Sequence, residues 1–265
     1  MALRLVATDL DGTLLHSDGT VTDRTRHVLD ELDARGVTVV FVTGRPIRWM
    51  EPLWHHVGDH GIAICSNGGI VYDVPGRSVV EARTIPRDVG LEVASVIREA
   101  LPGTVFGLEQ STGFAKEPAF LPRAEDASRP ELRIGPLDEV FDDHVVKMLA
   151  LHEELDPEEY WASVEKLVGT SVTTTWSAVG ALVEMSAAGV TKASTLELLC
   201  AERGISAEEV VAFGDMPNDI AMLRWAGTSY AMANGHPSTI ACAQHTAPRH
   251  DEDGVAQVLE ELFLS

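Results

Sequence analysis

A short apolar run near the start of the chain, Leu3, Leu5, Val6 and Ala7, stops abruptly at Thr8-Asp9-Leu10-Asp11-Gly12-Thr13. The run is rich in strand formers, and a buried strand that ends on two carboxylates constrains everything that follows, because unpaired charge is costly to bury. Alternate residues of an extended chain point the same way, so Asp9 and Asp11 converge on one small volume. Gly12 then permits a sharp turn. Two converging carboxylates with oxygen-rich neighbours suit a hard cation such as Mg²⁺. A bare Asp-x-Asp also suits a solvated exit from a strand, so the rest of the chain has to supply the partners.

The following segments repeat the theme. Thr22 reads as the N-cap of a helix over residues 23–35, with Val28, Leu29 and Leu32 on its apolar face and Gly36 ending it. Val37-Thr38-Val39-Val40-Phe41-Val42 is a nearly continuous β-branched run, the pattern of a parallel strand covered on both faces. It ends in Thr43-Gly44-Arg45, and Pro46 opens a helix at its first position. Ile62-Ala63-Ile64-Cys65 ends in Ser66-Asn67-Gly68-Gly69. Strands alternating with helices predict a doubly wound parallel sheet, an α/β fold in which ligands bind beyond the carboxyl ends of the strands.

The alternation lapses between residues 83 and 186. A helix over 89–101 precedes strands at 105–109 and 113–116; a strand at 145–152 and a helix at 157–168 precede a second pair at 171–176 and 181–185, turned at Val179-Gly180. Residues 124–137, rich in Pro and charge, read as loop. Residues 83–186 are therefore expected to form an inserted α+β domain on an antiparallel sheet, with 1–82 and 187–265 forming one discontinuous Rossmann-like core. From Thr191 the alternation returns: a helix over 191–203, a strand over 209–213 ending in Gly214-Asp215-Met216-Pro217-Asn218-Asp219, a helix over 220–226, a strand over 229–232 ending in Ala233-Asn234-Gly235, and closing helices over 237–243 and 254–263.

Charge narrows the partners. The formal net charge is −21, a field that repels nucleic acid and anionic membrane surfaces, so neither is expected as a partner, and any anion site needs local positive charge. The three cysteines, Cys65, Cys200 and Cys242, lie far apart without a Cys-x-x-Cys, so buried reduced thiols are expected rather than a disulfide scaffold or a zinc site. Asp9 and Asp11 interrupt the N-terminal apolar run, and no apolar stretch reaches about 18 residues, so a cytoplasmic chain with neither signal peptide nor membrane span is expected. No obligate protein partner is evident. The ten histidines show no ligand spacing; His55-His56 and His152 read as surface or packing residues, and the five tryptophans read mostly as core.

Four element ends thus direct polar groups to one edge. Asp215 and Asp219 join Asp9 and Asp11, and four acids packed together cannot all stay ionised without a metal. Lys192, in the first turn of its helix, opposes the helix dipole and makes sense if it grips an anion. Thr43 adds a hydroxyl, and backbone amides beyond the strand ends add donors. Carboxylates, metal, lysine and hydroxyl together describe a phosphoryl site.

On these residues the sequence resembles the haloacid dehalogenase superfamily, and within it the Cof-like phosphatases. The matching motifs are Asp9-Leu10-Asp11-Gly12-Thr13-Leu14, Thr43-Gly44-Arg45, Lys192 and Gly214-Asp215-Met216-Pro217-Asn218-Asp219, with weaker echoes in Ser66-Asn67-Gly68-Gly69 and Asp253-Gly254-Val255-Ala256. Two departures stand out: Ala193 follows Lys192 where the subgroup has Gly, and Met216-Pro217 replaces a glycine-containing pair.

The resemblance implies a large cap inserted after the third core strand and an Mg²⁺-dependent phosphatase acting on a small phosphorylated metabolite, such as a sugar phosphate. It implies that Asp9 attacks phosphorus to form an aspartyl phosphate, and that Asp11 protonates the leaving oxygen and then activates water, its acidic neighbours raising its pKa. It implies Mg²⁺ held by Asp9, the Asp11 carbonyl, Asp215 and Asp219, and phosphate bound by Thr43, Gly44, Lys192 and Asn218. Arg45 and Asn67 are candidate substrate contacts, and Trp176, Lys147 and Glu184 candidate selectivity residues on the cap. A phosphomutase with the same nucleophile, a phospho-receiver module and a silent binding protein on a similar scaffold are the alternatives.

Overall fold

The computed structural model describes residues 2–54, 61–121, 132–176 and 180–264. His55, His56, Val179 and the side chain of Trp176 lie outside the described part. The chain divides into two compact units, Met1–Glu81 with Thr191–Ser265, and Ala82–Val190.

The first unit is built on a sheet whose strands are β1 (Leu5–Thr8), β2 (Thr38–Val42), β3 (Ile62–Cys65), β4 (Ile70–Asp73), β5 (Ser78–Ala82), β12 (Val210–Gly214), β13 (Thr228–Met232) and β14 (His245–Ala247), in the order β14-β13-β12-β1-β2-β3-β4-β5. From β14 to β3 neighbours run parallel; β4 turns back antiparallel on β3. β1 lies between β12 and β2, with Ala7 opposite Ala212 on one side and Val40 on the other. Its residues Leu5, Val6 and Ala7 are wholly buried, as expected of a central parallel strand.

Helices cover this sheet. α1 (Asp23–Ala34) is capped by Thr22, whose hydroxyl accepts from the Thr25 amide at 3.2 Å, and it buries Val28, Leu29 and Leu32. The helix at Lys192–Glu202 begins with a reciprocal cap between Thr191 and Ser194, which fixes the turn that carries Lys192.

The doubly wound core is as expected; several elements differ in detail. β4, β5 and the short β14 escape the alternation rule. β5 is exposed throughout, so no burial pattern marks it. Pro46 is the N-cap rather than the first residue of a helix that runs only Ile47–Met50. The helix from Pro237 stops at Ile240, and the last one, Gly254–Leu259, gives way to a wider turn at Glu260–Leu264.

The second unit contains a sheet in the order β10-β11-β9-β6-β7-β8. Its strands are β6 (Val105–Gln110), β7 (Gly113–Lys116), β8 (Leu132–Ile134), β9 (Val145–Leu151), β10 (Val172–Trp176) and β11 (Leu182–Ala187). Helices Arg87–Ala100 and Pro157–Val168 bury Val93, Ile97, Tyr160 and Val164 in a core with Phe106, Leu108, Met148 and Met185. The sheet is antiparallel except at its edge, where β8 pairs parallel with β7. β8 lies in the stretch read as loop, and the short helix Leu137–Val140 begins at its last residue. Prolines and charges broke its apolar pattern, yet three residues suffice to pair an edge strand.

Candidate active site

The ends of β1 and β12 and the start of the Lys192 helix bring together four side chains that are remote in sequence. Lys192 donates to Asp9 Oδ1 at 2.8 Å and to Asp219 Oδ1 at 2.7 Å. Asp219 Oδ2 accepts from the amides of Asp215 and Met216, each at 3.0 Å. Carboxylate oxygens of Asp9, Asp215 and Asp219 all lie within 4.8 Å of one another, and all three residues are buried.

The electrostatics follow from burying three acids against one ammonium. Burial drives the Asp9 carboxyl well above the usual carboxylate range; Lys192 pulls against it, and the charges of Asp219 and Asp215 add to it. Burial and the Asp219 charge push Asp215 up to about 6, although Lys192 and a hydrogen bond from Thr13 oppose the rise. Burial alone would favour a neutral Lys192, but the carboxylates of Asp219 and Asp9 outweigh it and hold the ammonium above its ordinary range. The surplus is negative, and the donors are carboxylate oxygens from separate elements. A hard divalent cation fits that donor set. Both oxygens of Asp219 are already engaged, by Lys192 and by two amides, so Asp9 and Asp215 have the freer oxygens and Asp219 orients the loop and the lysine.

The remaining expected residues stand around this centre in pairs. Asp11 does not join the three converging acids. Its carboxylate, about half exposed, receives both arms of Arg45, Nε at 2.7 Å and Nη2 at 2.5 Å. The acidic surroundings foreseen for Asp11 are thus replaced by a guanidinium: β1 ends at Thr8, so the alternation of an extended strand does not reach Asp11 and does not aim it where Asp9 points. Asn218 donates to Asn67 Oδ1 at 3.1 Å, linking the loops after β12 and β3. Gly44 packs under the same amide; a Cβ there would meet Asn67 Oδ1 at 3.2 Å. Thr43, buried just past the end of β2, accepts from the Arg45 amide at 3.1 Å, two residues beyond the Phe41–Thr8 pair that sets the level of Asp9. Ser66 and Asn67 both have positive φ, 53° and 55°, a conformation that costs a non-glycine residue energy and tends to be kept at functional sites.

Three further contributors are not among the expected site residues, and of them the sequence reading gave only Gly12 a role, as a turn. Thr13 Oγ1 donates to Asp215 Oδ1 at 3.2 Å. Gly12 has φ +74°, and a Cβ there would sit 2.4 Å from Asp215 Oδ2, so both its backbone and its lack of a side chain are required. Asp253 Oδ1 accepts from Thr22 and Thr25 and meets His16 Nε2 at 2.9 Å, tying the segment after β1 to the start of α1. The position of Gly12 directly after Asp-x-Asp was a usable signal; Thr13 and Asp253 were visible only as motif letters.

The sequence profile of the haloacid dehalogenase-like hydrolases matches residues 6–259. The chain belongs to the haloacid dehalogenase-like hydrolase family. The resemblance read from the motifs, and with it the expectation of a hydrolytic enzyme, is borne out. Among family members, a 5-amino-6-(5-phospho-D-ribitylamino)uracil phosphatase of Bacillus subtilis is 29% identical over 264 residues, covering 98% of this chain and 97% of that protein. A pyridoxal phosphate phosphatase of Escherichia coli is 27% identical over 270 residues, covering 98% of each chain. A solved structure from Streptococcus mutans superposes with a TM-score of 0.85 at 21% identity over the whole of both chains, which shows the shared fold. No helix among the described residues is long and apolar enough to cross a membrane.

Proposed function

We propose that this haloacid dehalogenase-like hydrolase is a phosphatase of small phosphorylated metabolites, working through an aspartyl phosphate on Asp9 and dependent on Mg²⁺. The observation that carries the reading is the buried trio Asp9, Asp215 and Asp219 bridged by Lys192. The phosphatase names of the relatives support the reaction class and the small size of the substrate.

Asp9 and Asp215, with the Asp11 carbonyl, would hold the cation. When bound, Mg²⁺ lowers the repulsion between an anionic nucleophile and an anionic phosphate. Lys192 pulls against the burial that favours a neutral Asp9 and orients its carboxylate, so that Oδ of Asp9 bonds to phosphorus as the bond from phosphorus to the leaving oxygen breaks. Asp11 gives its proton to that oxygen. In the second half, Asp11 takes a proton from water, the water oxygen bonds to phosphorus, and the bond to Asp9 breaks, releasing phosphate. The Arg45–Asp11 pair has to open before Asp11 can do this, and an arriving phosphate offers Arg45 a competing anion. Thr43, Gly44 and Asn218 supply phosphate contacts beyond the strand ends, with Asn67 beside them. Cys65 and Cys200, both buried and in no disulfide, suit a reducing, cytoplasmic setting.

Asp9→Asn keeps the shape of the site and removes the nucleophile. Phosphate release from p-nitrophenyl phosphate with Mg²⁺ should fall by about 10⁴-fold or more, as when a nucleophile is removed elsewhere. A variant that keeps the wild-type rate would refute the role of Asp9. Conversion of the substrate to an isomer without net phosphate would mark a mutase instead.

A further inference from the structure

We propose that residues 233–236, the loop after β13, brace the two loops that hold the catalytic acids, and that Asn234 is the positioning residue of this brace. The proposal rests on the phosphatase reading above for its functional meaning. Because the sheet order is β13-β12-β1, the loop after β13 is separated from the loop after β1 by the Asp215 loop. Asn234 nevertheless reaches across. Its Nδ2 donates to the Gly12 carbonyl at 2.7 Å, and its Oδ1 accepts from the His250 amide at 2.9 Å. The His250 ring in turn meets the Leu15 carbonyl at 2.8 Å, so the segment from Gly12 to Leu15 is held at both ends.

The same four residues also fix the other acid. The His236 amide donates to the Asp215 carbonyl at 2.7 Å. Gly235 lies against the Asp215 backbone, where a Cβ would come within 2.9 Å of the Asp215 carbonyl oxygen and 3.1 Å of its Cα. One loop therefore contacts the backbone on both sides of the gap between Asp9 and Asp215. Charge repulsion between these two acids would widen that gap, and a backbone brace resists it without adding a charge. In metal sites, groups that orient the ligands are worth about ten- to a hundredfold in metal affinity.

The test perturbs the two contacts separately. Asn234→Asp keeps the acceptor for His250 and loses the donor to Gly12; Asn234→Ala loses both; Gly235→Ala pushes on the Asp215 backbone, and on the Met232 carbonyl of its own turn, and leaves the donor to Gly12 in place. Mg²⁺ is titrated calorimetrically into each metal-free full-length protein, and amide exchange of residues 10–16 and 213–219 is compared. Mg²⁺ affinity should weaken about ten- to a hundredfold in each variant. Exchange should rise in the first segment for the Asn234 variants and in the second for Gly235→Ala. The kcat for p-nitrophenyl phosphate should fall at limiting Mg²⁺ and recover at high Mg²⁺ with KM unchanged, a rescue that a merely structural lesion would not show. Affinities within about twofold of wild type, with loop exchange unchanged, would overturn the brace. If the wild-type chain took up no Mg²⁺, the catalytic reading would fall, and amide exchange would decide the brace on its own.

Discussion

Each of the two units buries a cluster of charges, and the two clusters are balanced differently. In the second unit, Glu109 lies opposite Lys147 across β6 and β9, Lys147 pairs with Glu184 at 2.7 Å, and Lys116 extends the same sheet face. Lys147 and Glu184 thus pair one to one, with Glu184 reaching solvent, while the Lys116 ammonium donates to the carbonyls of Glu117 and Pro118. In the first unit, three carboxylates meet one lysine. A balanced cluster can satisfy its own desolvation cost; an unbalanced one needs an ion from outside. Burial of charge by itself does not mark a cation site, and the surplus does.

The sharpest way to break the comparison is to remove the lysine from each cluster. Lys192→Met leaves Asp9 and Asp219 buried without their counter-charge, and the loss of one partner of a buried pair costs about 3–5 kcal/mol. The metal-free variant should show a correspondingly lower Tm, and the variant with Mg²⁺ should release no phosphate. Lys147→Met leaves Glu184, whose side chain is 21% exposed and can turn to water, and the buried Glu109 on the neighbouring strand. A loss of about 1–2 kcal/mol is expected there, within the range for an unpaired polar group. Equal losses in the two variants, measured by thermal unfolding, would erase the distinction.

Proton linkage sharpens the same contrast. Asp215 in the folded chain holds its proton up to about 6, against an ordinary value of 3.8. Its folded pKa is raised, so the stability it contributes is complete below about pH 4 and is lost as pH rises through about 6. At about 1.4 kcal/mol per unit, the loss comes to roughly 3 kcal/mol, and Asp9 shifts in the same direction. Metal-free protein should therefore lose stability between pH 4 and 6.5, and Mg²⁺ should restore more at pH 7 than at pH 4.5. A Tm increment from Mg²⁺ that did not depend on pH would contradict the surplus-charge account.

The contrast also shows what the sequence could disclose. Asp9, Asp215 and Lys192 were legible because strand ends, helix starts and chain alternation fix where such residues go. The core strands were legible because parallel strands buried on both faces are continuous apolar runs. Asp11 was read as converging with Asp9 along an extended strand; the strand ends at Thr8, and the bidentate contact with Arg45 depends on two loops meeting in space. The Asn234–Gly12 bond joins residues 222 apart and has no local signature at all. β5 was missed because an exposed edge strand has no burial periodicity, and β8 because pairing at an edge asks only for a free neighbour.

The smallest effect separates a paired charge from a needed one. Replacing both Lys147 and Glu184 by apolar residues of similar size, Lys147→Met with Glu184→Leu, removes the charge and its partner together, and such exchanges are often neutral or stabilising. The double variant should stay within about 1 kcal/mol of wild type by Tm and should retain Mg²⁺ affinity, because the cation would be held by the other unit. A double variant less stable than Lys147→Met alone would show that the cluster in the second unit is held by more than mutual neutralisation, and the surplus would then no longer distinguish the two.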